Sequence, residues 1–175
     1  MFVLSLFILL SSLLYMRFNP DVVKASNSYP VHNLDTGLNY TTIQGAIDAP
    51  ETLNGHQILV ESGIYEAITI DKSLILIGSG VETTVINGTG TPDESVIEVL
   101  ADNVNLSGFT IQNGYYGISV DRKNNISIIA NKIQFNEFGL YYPSHEFNYG
   151  VFDGSICDNT ITQNENIGVY LAQAQ

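Results

Sequence analysis

Hydrophobic and polar side chains alternate in short runs along most of the chain, and asparagine and glycine separate the runs. Ile118-Ser-Val120 and Ile126-Ser-Ile128 are two examples. Such alternation, with turn residues between the runs, is typical of short β-strands and not of helices. In the first half of the chain the pattern predicts strands over residues 57–60, 67–70, 74–77 and 84–86.

The later runs repeat at a nearly constant spacing. Ile111 aligns with Ile133 at an offset of 22 residues, and residues 95–99 align with residues 116–120 at an offset of 21. A further repeat aligns Ile133 with Ile161 at an offset of 28, because a polar and aromatic insert occupies residues 143–152. A fixed period of this length is the signature of a solenoid.

Three short strands in each repeat, with isoleucine, valine and leucine facing inward, predict the fold. We expect an all-β chain that forms a single-stranded right-handed parallel β-helix of about five coils. Asn131 and Asn159 occupy the same corner of successive repeats. Asparagine tolerates the left-handed conformation of a turn, and its amide can bond to an equivalent amide in the next coil, so these two residues are predicted to form a ladder.

One segment has helical periodicity. Residues 41–49 place apolar side chains at positions i, i+3 and i+4, with Thr41 as the predicted N-cap and Gln44 three residues later. An uncovered end of a β-helix exposes unpaired backbone groups. We therefore predict a short helix that caps the N-terminal end.

The first residues suggest export. Residues 2–16 carry no charge, and Val23-Lys-Ala25 precedes Ser26, as at a signal-peptide cleavage site. The prediction is a signal peptide over residues 1–25, or an uncleaved membrane tether, followed by a β-helix domain over residues 26–175. The protein is then extracellular or at the cell surface, or periplasmic if the host has an outer membrane.

The last repeat is still in strand register where the sequence stops. Residues 168–171 continue the alternating pattern close to Gln175. We therefore expect the domain to be truncated at its C-terminus, with self-association through the open edge.

Composition excludes two classes of function. The formal net charge is −12, from 6 Lys+Arg against 18 Asp+Glu, which repels phosphate backbones and excludes nucleic acid as a partner. Cys157 is the single cysteine, so neither an intrachain disulfide nor a cysteine-based zinc cluster can form. We expect its side chain to be a small, partly buried thiol that packs against its neighbours.

The residues also carry a family resemblance. Tyr40-Thr-Thr-Ile-Gln-Gly-Ala-Ile-Asp-Ala49, Ile58-Leu-Val-Glu-Ser-Gly-Ile-Tyr-Glu66 and Thr84-Val-Ile-Asn-Gly88 resemble the cap and first coils of pectin methylesterases and other pectin-lyase-like β-helix proteins. The later coils, rich in asparagine and glycine, are similar to NosD-like proteins and to repeats of the CASH type. The resemblance implies the fold and leaves the chemistry open, because this scaffold hosts many activities.

The resemblance implies enzymatic activities, but this chain has few of the catalytic residues that those activities need. Residues 116–120 and 137–141 align with the methylesterase motifs that carry glutamine and aspartate, and neither residue is present. Asp121 and Arg122 are weak candidates for lyase-like catalysis, and a charged turn between strands is the favoured interpretation of these residues. Calcium is an alternative ligand, but the aspartates are scattered through the repeat, so no cofactor is predicted.

The histidines do not favour a metal site. His32, His56 and His145 are isolated, with no second ligand at a suitable spacing. This also weakens the copper role that a NosD-like resemblance implies.

Aromatic residues give the most informative surface. Tyrosine pairs flank two strands one coil apart, and the insert adds further rings. Rings beside amides and carboxylates suit sugars, whose C–H faces stack on them while their hydroxyls are hydrogen-bonded. The predicted carbohydrate-binding residues are Tyr115, Tyr116, Tyr141, Tyr142, His145 and Tyr149.

Three functions remain open. The first hypothesis is an exported, non-enzymatic β-helix that acts as a cell-surface or carbohydrate-binding module, with a polysaccharide or surface glycan as partner. The second is a polysaccharide lyase or hydrolase whose catalytic residues are partly missing from this chain. The third is a NosD-like accessory protein of a membrane transporter.

Overall fold

A computed structural model describes residues 29–120, 122–143 and 154–171. One helix, α1, spans Ile43–Asp48. The strands in chain order are β1 (Val31–Asn33), β2 (Asn39–Tyr40), β3 (Gln57–Val60), β4 (Gly63–Glu66), β5 (Ile68–Ile70), β6 (Ile75–Gly78), β7 (Thr84–Asn87), β8 (Ser95–Val99), β9 (Asn105–Ser107), β10 (Thr110–Gln112), β11 (Tyr116–Val120), β12 (Ile126–Ile129), β13 (Lys132–Gln134), β14 (Phe138–Tyr142), β15 (Gly154–Cys157), β16 (Thr160–Thr162) and β17 (Ile167–Leu171).

From β3 onward, every third strand joins the same sheet. The first sheet has the order β15-β12-β9-β6-β3-β1-β2, the second β16-β13-β10-β7-β4 and the third β17-β14-β11-β8-β5. All pairings among β3–β17 are parallel. The chain is therefore a parallel β-helix of five coils, and the predicted fold is confirmed.

The strand register confirms the repeat spacing. Ile111 pairs with Ile86 and Ile133, and Ile133 pairs with Ile161 across the insert. These isoleucines belong to a column that faces inward, and Ile86, Ile111 and Ile133 are fully buried. Burial of such columns removes apolar surface from water and stabilises the fold by about 25 cal/mol for each Å² of apolar surface buried. The interior is therefore the main source of stability.

The N-terminal end has a cap of three parts. Strand β1 pairs antiparallel with β3 and covers the edge of the first sheet. Helix α1 buries Ile43, Ala46 and Ile47. The side chain of Gln44 covers the edge of the third sheet, where its Oε1 accepts from Thr69 N at 2.9 Å and its Nε2 donates to Thr69 O at 3.2 Å.

The details of the cap differ from the sequence prediction. The N-cap is Thr42, not Thr41, because Thr42 Oγ1 accepts from Gly45 N at 3.0 Å. Gln44 bonds to β5 and does not close a capping box, since the unpaired edge of β5 competes for its amide. Strands β1, β2 and β4 were not predicted.

Replacing Gln44 by alanine tests this cap. We expect the free energy of unfolding to fall by about 1–2 kcal/mol and the Thr69 amide to exchange faster, because both backbone groups lose their partner. Urea unfolding and amide exchange measure the two effects. Gln57→Ala, at an exposed position, is the control, and unchanged exchange at Thr69 contradicts the assignment.

Candidate functional site

The aromatic residues of the third sheet form a stacked row on its outer face. Register places Ser119 beside Tyr141 and Tyr141 beside Tyr170. The Tyr141 and Tyr170 ring centroids lie 5.1 Å apart with an interplanar angle of 17°, and those of Tyr116 and Tyr141 lie 4.5 Å apart with an angle of 26°. We call Tyr116, Tyr141 and Tyr170 the aromatic ladder.

The ladder follows from the coil spacing. Neighbouring parallel strands lie about 4.8 Å apart, which is also a favourable separation for stacked rings. Ser119 is small, and Tyr116 therefore stacks diagonally against Tyr141. Phe138 fills the angle between them, with its centroid 5.5 Å from Tyr116 and 5.8 Å from Tyr141.

Stacking decides which part of each ring meets solvent. The faces of the ladder rings lie against one another along the helix axis, so their edges and hydroxyl ends form the outer surface. Burial raises the pKa of the Tyr116 phenol, and the nearby Tyr141, Tyr115 and Asp93 raise it further. At neutral pH the Tyr116 hydroxyl is therefore a protonated hydrogen-bond donor and acceptor.

A groove lies beside the ladder at the corner between the second and third sheets. Tyr115 lies on its wall, with its ring at 87° to that of Tyr116 and the two centroids 4.8 Å apart. We call this groove of about 440 Å³ the corner groove. Its lining residues are Gly88, Thr89, Gly90, Asn113, Gly114, Tyr115, Phe135, Glu137 and Glu165.

Two of the lining residues owe their positions to the turns. Phe135 has φ 54°, a left-handed conformation that leaves 47% of its surface exposed. Asn113 has φ 61°, and its Nδ2 donates to Asn87 Oδ1 at 2.8 Å. The groove thus combines an apolar ring with amide and carboxylate groups, as ligand-binding clefts do.

The structure removes one predicted residue from the surface. Tyr142 is only 4% exposed, because it follows Tyr141 in β14 and therefore faces inward. Its hydroxyl donates to Lys123 O at 2.7 Å, and burial raises its pKa. The prediction that Tyr142 offers a surface for stacking is therefore wrong.

The other predicted residues are only partly placed. Tyr115, Tyr116 and Tyr141 come together as described. His145 and Tyr149 lie outside the described residues, as do the signal segment 1–25 and the insert residues 144–153.

The weak catalytic candidates are not brought into a site by the described residues. Asp121 lies outside them, and Arg122 occupies the corner after β11 with φ 53°.

The described histidines are hydrogen-bonded to neighbouring side chains, and the cysteine is exposed to solvent. His32 bonds to Asn39 Oδ1 at 2.6 Å and to Glu61 Oε1 at 3.0 Å, while His56 Nδ1 lies 3.2 Å from Asn33 Nδ2. Cys157 is exposed and not partly buried as predicted, because Ile156 takes the inward position. The described part of the chain contains no grouping of three His, Cys, Asp or Glu residues that fits copper or another metal ion.

Membrane-spanning helices are likewise missing from residues 29–120, 122–143 and 154–171, where no helix is long and apolar enough to cross a bilayer.

Solved structures share the fold. A pectin methylesterase in complex with a hexasaccharide superposes with a TM-score of 0.53 and 20% sequence identity, over 62% of this chain and 43% of that chain. A mutant pectin methylesterase with another hexasaccharide gives a TM-score of 0.52 at the same identity and coverage. At this identity the likeness shows the fold alone, and the predicted pectin-lyase-like fold is confirmed.

A curated relative is similar in sequence. The cell surface glycoprotein of Methanothermus fervidus is 39% identical over 105 residues, which are 59% of this chain. The present chain spans 17% of the length of that relative.

The family comparison covers most of the β-helix. Residues 51–175 match the family described as periplasmic copper-binding protein (NosD). This match begins before β3 and includes all five coils, the aromatic ladder and the corner groove. The chain therefore belongs to the NosD family, and its coils form a parallel β-helix.

Proposed function

We propose that this chain is a module of an exported cell-surface protein, and that it binds carbohydrate through the aromatic ladder and the corner groove. The observation that carries the proposal is the row of stacked tyrosines beside a groove of about 440 Å³. A volume of this size lies within the range of small-ligand sites.

The exposed groups suit a sugar chain. Within the described residues the hydroxyls of the three ladder tyrosines have no protein partner, and the rings follow one another with centroid separations of 4.5 Å and 5.1 Å. A polysaccharide lying along the helix axis meets one hydroxyl per coil, while Tyr115 and Phe135 offer apolar contact to a sugar ring in the groove. Asn113 and Thr89 add hydrogen-bonding groups.

The surface location rests on the relatives. The Methanothermus relative is called a cell surface glycoprotein, and the family description is periplasmic. Both descriptions support a location outside the cytoplasm.

A glycan array with ladder and groove variants tests the proposal. We expect the chain to be retained on at least one glycan, and Tyr115→Ala to weaken binding by roughly tenfold or more, because an aromatic anchor is lost. Tyr141→Phe keeps the stack and removes one hydroxyl, so we expect a loss of roughly threefold to tenfold.

The control is another exposed tyrosine. Tyr29, with 52% of its surface exposed, lies near the capped end, and Tyr29→Ala should bind like the unmodified chain. Thermal unfolding of each variant separates loss of binding from loss of folding. Full retention of Tyr115→Ala, or no retention of the unmodified chain on any glycan, contradicts the proposal.

A further inference from the structure

Among the described residues, the charges on the strands of the third sheet and on the corners that lead into them all have the same sign. All of these charged side chains are carboxylates. Glu98 lies on the outer face beside Ser119, and Asp93 is close enough to raise the pKa of Tyr116. The corner residues Glu94, Glu137 and Glu165 complete the set.

The nearest basic side chains lie elsewhere. Lys72 follows β5, and its Nζ donates to the carbonyl oxygens of Ile47 and Ala49 at the end of α1. Lys132 belongs to β13 in the second sheet. Arg122 and Lys123 follow the end of β11 that lies away from the corner groove, beyond Ser119, the register partner of Tyr141.

We propose that the ladder and the corner groove accept uncharged or amine-bearing glycans and reject polyuronates, an inference that rests on the proposed function. A uronate in the corner groove brings its carboxylate beside Glu137 and Glu165, with no described cation in the groove to compensate it. Like charges brought together across an interface weaken binding. The chain would therefore share a fold with pectin methylesterases while rejecting the acidic form of pectin.

The carboxylates also have hydrogen-bonding roles that do not neutralise them. Glu94 Oε2 accepts from Thr89 Oγ1 at 3.1 Å, and Glu98 Oε2 accepts from Thr69 Oγ1 at 3.4 Å. Both donors are uncharged hydroxyls, so neither of these contacts brings a positive charge to the carboxylate. Their remaining lone pairs are available to sugar hydroxyls or to an ammonium group.

The test compares glycans that share one backbone and differ in charge. Hexagalacturonate and its fully methyl-esterified form share one backbone, as do chitin and chitosan hexamers. Titrated at low salt, the ester should bind roughly tenfold or more tightly than the acid, and the chitosan hexamer should bind at least as tightly as the chitin hexamer. Added salt should reduce the difference in affinity between the ester and hexagalacturonate, because salt screens exposed charges.

Charge variants outside the groove sharpen the test. Asp93→Asn with Glu98→Gln should raise the affinity for hexagalacturonate several-fold and change the affinity for the uncharged ester much less. Glu51→Gln with Glu82→Gln is the matched control, because both residues are exposed and the net charge changes equally.

The outcomes separate the two proposals. Hexagalacturonate binding as tightly as its ester overturns the charge selection and leaves carbohydrate binding intact. An equal gain from the Glu51 and Glu82 control also overturns it, since the effect is then general and not local. Failure of every glycan to bind overturns the proposed function and this inference together.

Discussion

Replacing Asn136 by alanine is expected to lower the free energy of unfolding by about 3 kcal/mol, because Asn136 joins three coils from a buried position. Its Oδ1 accepts from Gly114 N at 2.9 Å, and its Nδ2 donates to Gln134 O at 2.9 Å and to Asn164 Oδ1 at 3.1 Å. Alanine leaves Gly114 N buried and without a partner. Urea unfolding measures the loss.

An exposed asparagine supplies the control for this prediction. Asn105 lies on β9 with its side chain exposed, and Asn105→Ala should change stability by less than about 0.5 kcal/mol. Asn136→Asp keeps the oxygen acceptor and removes the amide donor, so we expect it to destabilise as well. If Asn136→Ala lowers the free energy of unfolding no more than Asn105→Ala does, the hydrogen bonds of Asn136 do not stabilise the coils as proposed.

Replacing Gly139 by alanine is expected to lower the free energy of unfolding by about 3 kcal/mol. The added Cβ would clash with backbone atoms of the next coil, which cannot rotate out of the way as a side chain can. Gly139 is buried between Gly117 and Gly168 in successive coils of the third sheet. An alanine Cβ would strike the Gly168 carbonyl oxygen and lie 2.9 Å from Asn164 Nδ2. The coils must separate to admit it, which weakens strand pairing and the asparagine ladder together.

The same column contains its own control. At Gly168 the nearest atom to an added Cβ is Ile161 Cγ2 at 3.4 Å, an ordinary contact, so Gly168→Ala should change stability by less than about 1 kcal/mol. Circular dichroism during thermal unfolding compares the two variants. Equal melting temperatures for Gly139→Ala and the unmodified chain would show that the coils are not as tightly packed as described.

The regular coils were predictable because their residues depend on local alternation and on a fixed period. A shift of one residue would turn the inward column of Ile111, Ile133 and Ile161 toward solvent, so the hydrophobic pattern leaves only one register. The same reasoning found Asn131 and Asn159, whose side chains meet at 3.3 Å. The second ladder of Asn136 and Asn164 carries an equal signal at the same offset of 28.

The cap was predicted only in outline because the conformation of its residues depends on contacts with residues that are distant in sequence. The segment is helical as expected, but Gln44 reaches β5, 25 residues away, and the N-cap moves to Thr42. Strand β4 lacks clear alternation, since Ile64 is 80% exposed on it. No local pattern marks β1, whose pairing with β3 depends on the open edge that it covers.

The candidate site was predictable in part. Tyr115, Tyr116 and Tyr141 were identified from their flanking positions, but Tyr142 was assigned to the wrong side of β14 although strict alternation with Leu140 indicates the interior. Tyr170 and Phe138 were missed, although Tyr170 aligns with Tyr141 one coil away. Phe135 carried no such signal, since its exposure depends on a left-handed turn.

The sequence by itself determined the parallel β-helix, the number of coils and one asparagine ladder, because each follows from a repeat that brings identical residues one coil apart. Tertiary structure decided how Gln44 closes the cap and how Tyr116 stacks diagonally on Tyr141. It also assembled Tyr115, Phe135, Glu137 and Glu165 into one groove. These contacts join residues of different coils at unequal offsets, and only the folded chain fixes their distances.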